Sequence, residues 1–141
     1  MGKKVALVSC VSKKDDKPRP AKDLYQSHWF KKASAYAKQI GDEWYILSAK
    51  YGLLSPKTII SPYDITLNNM KTQERKLWAR NVIDQLKTIV SPGDEIIFLA
   101  GTKYRENLIA PLNIIGVQIS IPMKGLRIGE QMSWLKIKLG Q

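Results

Sequence analysis

Polar groups able to do chemistry are concentrated in one segment of the sequence, residues 47–69. Asp64 is a carboxylate between Tyr63 and Ile65, where it either caps a turn or helix or is held to stabilise a developing positive charge. Tyr51 and Tyr63 offer flat rings on which a nucleic-acid base can stack, and the same rings can instead pack the loop onto a sheet. Further groups of this segment are suited to reading a base edge or to attacking a sugar: Ser48, Asn68, Asn69 and Lys50.

A second set of residues is suited to holding phosphate. These residues combine small hydroxyls with cations, a composition that places N–H groups and positive charges around an anion. Ala100-Gly101-Thr102 leads from an apolar run into a helical pattern, a setting typical of anion sites, and Thr102 can also serve as the helix N-cap. The candidate phosphate ligands are Ser9, Ser12, Lys13, Lys14, Thr102, Lys103, Arg105 and Lys124.

The charge of the chain indicates a polyanionic partner. The sequence has 23 Lys and Arg against 12 Asp and Glu, a net charge of +11, and a pI of about 9.8. Such an excess is typical of proteins that bind nucleic acid. Because it is concentrated at the two ends of the sequence, whereas residues 39–121 are nearly balanced, solubility alone does not explain it. We expect nucleic acid as the partner, with DNA preferred over RNA.

Length and composition narrow the class of protein. With 141 residues, 44% of them hydrophobic, the chain is expected to form a single α/β domain spanning residues 1–141. Cys10 and His28 are the only residues of their types, which argues against disulfides, zinc sites and cofactors held by such ligands. No apolar run reaches the roughly 18 residues of a membrane helix, and the Walker A spacing is absent. We expect a cytoplasmic protein, a monomer or weak dimer, that needs no metal or cofactor and contacts no membrane.

Strands and helices alternate along the chain and must position these groups. Short apolar runs bounded by polar or Gly/Pro residues predict strands at 5–8, 44–47, 96–99 and 117–121. Apolar residues at helical spacing predict four helices, which start behind Asp23 as N-cap, after Thr72, near Thr102 and at Ile128. The alternation predicts a three-layer α/β/α fold with a four-stranded, mainly parallel sheet. Ligands of such sheets bind beyond the carboxyl ends of the strands. One cleft is therefore expected between the segments 9–14, 48–54, 100–104 and 122–125.

Four runs of residues resemble known families. The chain contains Leu47-Ser48-x-x-Tyr51-Gly52-Leu53-Leu54-x-Pro56, then Ile60-x-Pro62-Tyr63, and later Leu99-Ala100-x-x-x-Tyr104. This order of residues resembles the YaaA-type peroxide-stress proteins. The opening Ser9-Cys10-x-Ser12-x-Lys14 is similar to small phage and bacterial domains of unknown function (DUF6884) and to the accessory domain of archaeal tRNA-guanine transglycosylases. The resemblance implies a DNA- or RNA-associated domain whose fold is similar to that of the uracil-DNA glycosylases.

Together these features predict a protein that processes nucleic-acid bases. The leading hypothesis is a DNA glycosylase, a repair hydrolase that excises a modified or damaged pyrimidine such as uracil or 5-hydroxymethyluracil. Such an enzyme extrudes the base, stacks it, reads its edge and stabilises an oxocarbenium-like sugar. Two alternatives stay open, a non-catalytic DNA- or RNA-binding module in stress response or RNA modification, and a nucleotide or nucleoside hydrolase or transferase. The candidate catalytic residues are Asp64, Asn68 and Lys50, and the candidate base-binding residues are Tyr51, Tyr63, Asn69 and Ser48.

Overall fold

The computed structural model describes residues 2–9, 19–24, 27–61, 63 and 65–141. The strands are β1 (Lys4–Ser9), β2 (Arg19–Pro20), β3 (Glu43–Ser48), β4 (Gly52–Leu54), β5 (Ile59–Ile60), β6 (Glu95–Leu99) and β7 (Gln118–Ser120). The α-helices are α1 (Ala21–Leu24), α2 (His28–Ile40), α3 (Thr72–Leu86), α4 (Thr102–Arg105), α5 (Ile109–Ile115) and α6 (Ile128–Lys138), and a 3-10 helix spans Leu67–Asn69. None of the helices in these described ranges is long and apolar enough to cross a membrane.

A five-stranded, mainly parallel sheet forms the centre of the described part of the chain. Its order is β4-β3-β1-β6-β7, in which β4 alone runs antiparallel to its neighbour. All four predicted strands are present, but the predicted total of four is wrong. The fifth strand, β4, has only three residues and begins at a glycine, so it makes no apolar run long enough to indicate a strand. A separate antiparallel pair joins β2 to β5.

Helices cover both faces of the sheet, which confirms the predicted α/β class. The consecutive residues Val5–Val8 and Ile96–Leu99 are all buried. Because successive side chains of a strand point to opposite faces, neither face of β1 or β6 is open to solvent. Helix α2 packs on β1 and on α6, whereas α3 packs on β4 and α5 on β7. The connection from β1 through α2 to β3 joins parallel strands, for which a right-handed crossover is expected.

The edge strand β4 is closed by one side chain of α3. Leu53 has its N–H and C=O on the outer side of the strand, since the neighbouring residues Gly52 and Leu54 bond to β3. Gln85 Oε1 accepts from the Leu53 N–H at 2.9 Å, and Gln85 Nε2 donates to the Leu53 carbonyl at 3.2 Å. The amide thus satisfies both edge groups as another strand would.

Three of the four predicted helices differ from the structure in their bounds. Helix α2 begins behind Ser27, whose Oγ accepts from the Phe30 N–H at 3.0 Å, and not behind Asp23, which lies in α1. Helix α3 starts one residue earlier than predicted, at Thr72 behind Lys71, and ends at Leu86. The helix predicted from Thr102 is broken into α4 and α5. Pro111 explains the break, because its ring clashes with the carbonyl four residues earlier and is tolerated only in a first turn. The last helix, α6, matches its prediction.

Candidate functional site

The carboxyl ends of the four parallel strands lie at one edge of the sheet, as predicted. β1 has β3 on one side and β6 on the other, so the connections that leave these carboxyl ends run in opposite directions. The point where the strand order reverses leaves a crevice, which is where open α/β sheets bind their ligands. In the described ranges, the positions at this edge include Ser9, Ser48, Ala100 and Ile121.

A cavity of about 280 Å³ lies at this edge, beyond β6 and β7. Its walls come from the end of β6, the start of α4, the segment after β7, and one residue each from α2 and α6 inside their first turns. The surface is mixed, because aromatic and aliphatic side chains alternate with backbone, amide and guanidinium groups. The lining residues are Trp29, Phe98, Ala100, Gly101, Thr102, Arg105, Ile121, Met123, Gly125, Leu126 and Gln131.

Hydrogen bonds hold the polar part of the cavity wall in place. The Trp29 Nε1–H donates to Gln131 Oε1 at 2.8 Å, and Gln131 Nε2 donates to the Leu126 carbonyl at 2.9 Å. On the other side of the cavity, Arg105 NH1 donates to the carbonyl of Ala100 at 2.6 Å. The first two bonds connect α2, α6 and the segment after β7, and the third ties α4 to the end of β6, so these polar groups of the wall have fixed orientations.

Cations outnumber free carboxylates around the cavity among the described residues. Lys103 and Lys124 are exposed and are sequence neighbours of lining residues. Glu106 is paired with Arg75 at 3.5 Å, and Glu130 accepts the Arg127 N–H at 2.9 Å. Glu106 is paired with a cation and Glu130 keeps its charge, so Lys103, Arg105 and Lys124 leave the surroundings of the cavity with a net positive charge, which suits an anion.

The structure brings part of the predicted phosphate-binding set together. Thr102 and Arg105 line the cavity, and Lys124 lies between the lining residues Met123 and Gly125. Thr102 is not the N-cap of its helix, as one reading of the sequence had it, because Gly101 occupies that position and Thr102 is the first helical residue. Ser9 is buried at the end of β1. Three further predicted phosphate ligands lie outside the described residues: Ser12, Lys13 and Lys14.

Ser48 is the centre of a hydrogen-bonded cluster at the end of β3. Its Oγ lies 2.6 Å from the Tyr63 hydroxyl and accepts the Tyr51 N–H at 3.1 Å, while its carbonyl accepts the Trp78 indole N–H at 2.8 Å. Ser48 is fully buried, and Tyr63 is 8% exposed. The structure therefore gives these two predicted base-binding residues a mutual contact inside the protein.

A tight hairpin between β3 and β4 builds this cluster. The strands pair Ser48 with Gly52, which leaves a three-residue loop, 49–51. Gly52 has a φ of 72°, the left-handed conformation that closes such loops and that other residues adopt at a cost.

Tyr51 and Lys50 lie at the outer side of the cluster. The Tyr51 ring is half-buried and packs edge-on against Tyr63, with 5.7 Å between centroids and an angle of 84°. Lys50 is exposed, and its Nζ lies 5.3 Å from the centroid of the Tyr51 ring, close enough for a cation–π contact. Of the two predicted stacking residues, Tyr51 is thus the more accessible.

The two predicted asparagines lie on the 3-10 helix, and both are exposed. The helix is capped by Thr66, whose Oγ1 accepts the Asn68 N–H at 3.3 Å. Lys103 Nζ donates to the Asn68 carbonyl at 3.4 Å, which ties this segment to α4 at the border of the cavity. Neither Asn68 nor Lys50 lines the cavity. Asp64, the predicted catalytic carboxylate, lies outside the described residues.

Among the described residues, none of the groups whose pKa is clearly shifted lines the cavity beyond β6 and β7. Hydrogen bonds from the Ser91 and Lys3 backbone N–H groups lower the pKa of Asp94. Hydrogen bonds from Tyr45 and Lys3 lower the pKa of Glu43, and burial together with Glu43 raises the pKa of Tyr45 to about 12. These groups lie where the strands begin and hold that end of the sheet together. Within the described ranges, no three His, Cys, Asp or Glu side chains are grouped closely enough to hold a metal ion.

Sequence reasoning missed several residues of the cavity wall, among them Trp29 and Gln131. Trp29 falls on the apolar face of a predicted helix, where it reads as core, and it is indeed 9% exposed. Gln131 falls in the first turn of α6, where a polar residue reads as part of a cap. The signal that could have identified Gln131 is its place in the fold. Helix α6 follows the carboxyl end of β7, where ligands of such sheets collect.

Two comparisons with known proteins relate this chain to others. Residues 5–137 match a protein family described as a family of unknown function, DUF6884. An uncharacterized protein of Bacillus subtilis (strain 168), YfjM, is 32% identical over 118 residues, which cover 75% of this chain and 75% of that protein. Neither description states an activity.

Proposed function

The chain belongs to the DUF6884 family, whose function is unknown, and we propose that it is a nucleic-acid base-processing protein that takes a single base into the cavity beyond β6 and β7. The family match confirms the resemblance to DUF6884 predicted from the sequence. The relation to the YaaA-type proteins, to the tRNA-guanine transglycosylase accessory domain and to the uracil-DNA glycosylase fold belongs to this proposal. The cavity itself is the observation that carries it.

The size and lining of the cavity favour one base. Small-molecule sites span roughly 300 to 1,000 Å³, so a cavity of about 280 Å³ suits a single heterocycle better than a whole nucleotide triphosphate. Enzymes that act on a base in nucleic acid extrude it into a snug pocket with aromatic or apolar walls and a polar group at the base edge. Trp29, Phe98 and Met123 supply such walls, and the Gln131 amide supplies the polar group.

Charge around the cavity favours a base that is attached to a phosphate backbone. Arg105 and Thr102 line the cavity, and Lys103 and Lys124 flank it on exposed positions. Contacts from such cations to phosphates supply most of the affinity of a nucleic-acid-binding protein and position it on the strand. The net charge of +11 adds a long-range attraction to the same kind of partner.

The reaction we propose is hydrolytic excision of a modified or damaged pyrimidine, such as uracil or 5-hydroxymethyluracil, from DNA. Water adds to the sugar carbon, the bond to the base breaks, and the base leaves with a proton. Asp64 is the proposed carboxylate for the developing cation or the water. Lys50, the alternative nucleophile of the sequence analysis, is exposed and lies outside the cavity, so no step is assigned to it. The bond between Lys103 and Asn68 holds the 3-10 helix, which follows Asp64 in the sequence, against α4.

A non-catalytic binding module is the second candidate. No cavity-lining residue in the described part of the chain is acidic. Glycosylases generally place a carboxylate near the sugar carbon, so this lining favours recognition of a base without cleavage. The two candidates share the partner and the cavity, and differ only in whether the base is released.

The experiment that separates them uses oligonucleotides that carry single altered pyrimidines, uracil and 5-hydroxymethyluracil among them. Purified protein is incubated with each strand without added metal, abasic sites are revealed by alkaline cleavage, and binding is followed as a function of salt. Release of one base by the wild type and loss of release in Asp64→Asn support excision. Binding without release supports the binding module, with a loss of about 0.7 to 0.9 log units of affinity per log unit of salt for each phosphate contacted. If the protein neither binds these oligonucleotides nor releases a base from them, the proposal is refuted.

A further inference from the structure

The side-chain amide of Gln131 has a fixed orientation in the cavity wall. Its Oε1 accepts from the Trp29 indole N–H at 2.8 Å, and its Nε2 donates to the Leu126 carbonyl at 2.9 Å. An indole N–H only donates, and a backbone carbonyl only accepts. A reversed amide would bring two donors together at Trp29 and two acceptors together at Leu126, so these partners determine which end is oxygen and which is nitrogen.

Each end of this amide retains one unused hydrogen-bonding position. Nε2 carries two hydrogens and Oε1 two lone pairs, and one of each is taken up by the two bonds of the wall. Gln131 lines the cavity, so a ligand there meets an amide of defined polarity. An amide with one donor and one acceptor pairs with a heterocycle edge that presents an acceptor beside a donor.

We propose that Gln131 is the specificity-determining residue of the cavity and that Trp29 is a positioning residue that holds its amide in the orientation that reads the ligand. This inference rests on the proposed function, because it takes the ligand to be a base. The ligand class is a planar nitrogen heterocycle with an acceptor beside a donor on one edge, as in the O4 and N3–H of uracil.

The two helices that carry these residues hold the pair rigidly. Trp29 lies in the first turn of α2, behind the Ser27 cap, and is 9% exposed. Gln131 lies in the first turn of α6, and α6 packs directly on α2. A recognition group fixed before the ligand arrives loses little conformational entropy on binding, which increases both affinity and discrimination.

Two substitutions distinguish recognition of the ligand by Gln131 from positioning of the Gln131 amide by Trp29. Gln131→Leu keeps a side chain of similar length and removes both polar ends, whereas Trp29→Phe keeps an aromatic ring and removes only the N–H. The matched controls are Gln118→Leu, on the exposed first residue of β7, and Trp134→Phe, whose ring packs edge-on against Tyr36. Neither control residue lines the cavity.

The measurement is the affinity of each protein for two single-stranded oligonucleotides of identical sequence, one with a central uracil and one with N3-methyluracil. Methylation removes the N3 donor and leaves the phosphates unchanged. A good bidentate contact discriminates by roughly 5- to 150-fold, so the wild type should prefer uracil within that range. We expect Gln131→Leu to abolish the preference, Trp29→Phe to reduce it to a few-fold because the released amide can rotate, and both controls to keep it.

The outcomes distinguish this inference from the proposed function. Salt-sensitive binding with equal affinity for both oligonucleotides, or a preference that persists in Gln131→Leu, would overturn the inference and leave nucleic-acid binding in place. No binding of either oligonucleotide would overturn the proposed function, and the inference with it. Circular dichroism shows whether Trp29→Phe impairs folding. Gln131 is only half-buried, so Gln131→Leu is expected to fold and tests base recognition by itself.

Discussion

Replacing Ser48 with alanine tests whether the cluster at the end of β3 holds the segment 47–63 together. The Ser48 Oγ takes part in two hydrogen bonds, with the Tyr63 hydroxyl at 2.6 Å and with the Tyr51 N–H at 3.1 Å, and the residue is fully buried. Each such bond contributes about 0.5 to 1.5 kcal/mol net to stability. We therefore expect Ser48→Ala to lower the free energy of unfolding by about 1 to 3 kcal/mol.

A double-mutant cycle isolates the contribution of the hydrogen bond between the Ser48 and Tyr63 hydroxyls to this free energy. Tyr63→Phe removes the other partner, and the double variant removes both. Because the two residues are in direct contact, we expect their effects to be non-additive by about 1 kcal/mol. Ser91→Ala, on an exposed serine, is the control and should change stability by less than about 0.5 kcal/mol.

Urea unfolding followed by tryptophan fluorescence measures all of these variants, since the chain has 4 tryptophans. The expected change is a lower midpoint at an unchanged slope. Additive effects of Ser48→Ala and Tyr63→Phe would refute the reasoning. So would a Ser48→Ala protein of unchanged stability that binds oligonucleotides more weakly, because the hydroxyls would then serve the ligand and not the fold.

Three other substitutions test separate parts of the structure. Gln85→Leu leaves both edge groups of Leu53 without their amide partner and should cost about 1 to 3 kcal/mol of unfolding free energy, measured in urea; no change would show that water replaces the amide. Asp94 has a pKa below its ordinary value of 3.8, so its stabilising effect is present above that value and is lost as the pH falls through the lowered pKa. In Asp94→Asn, the free energy of unfolding should therefore fall less steeply as the pH is lowered on the acid side. An unchanged dependence on pH would contradict this. Lys124→Ala should reduce the salt slope of oligonucleotide binding by about 0.7 to 0.9, one phosphate contact, whereas Lys87→Ala, beyond the last turn of α3, should leave it unchanged.

The strands were predictable because of where they lie in the sheet. Val5–Val8 and Ile96–Leu99 are buried on both faces, and such strands appear in a sequence as continuous apolar runs. The start of α2 was not predictable in the same way. Asp23 and Ser27 are both good N-caps, and the packing of the helix on β1, which no local pattern encodes, decides between them.

Of the four segments predicted to meet at one cleft, 100–104 and 122–125 contribute to the cavity wall, whereas 48–54 does not and 10–14 lie outside the described residues. Gly101 and Arg105 lie in or beside segments that were placed at the carboxyl edge from the order of strands and helices alone. The polar lining was less predictable. Trp29 and Gln131 are 102 positions apart, and their contact arises only because α2 and α6 pack on each other. The burial of Ser48 likewise depends on the fold, because the β3–β4 hairpin and α3 cover it from different parts of the chain.

Filling the cavity is the most direct test of the claim that a base enters it. Gly101 lines the cavity and has a φ of −66°, which any residue adopts, and a Cβ added there meets no atom within 4 Å. Gly101→Leu therefore adds a bulky side chain at the cavity wall without straining the backbone, and Gly129→Leu, at another open position that does not line the cavity, is the matched control.

The measurement compares wild type and both variants on the uracil oligonucleotide, for base release and for preference over N3-methyluracil. We predict that Gly101→Leu loses release and preference while it keeps salt-sensitive binding to the strand, and that Gly129→Leu retains all three. A Gly101→Leu protein that releases or recognises the base as well as the wild type does would contradict the account.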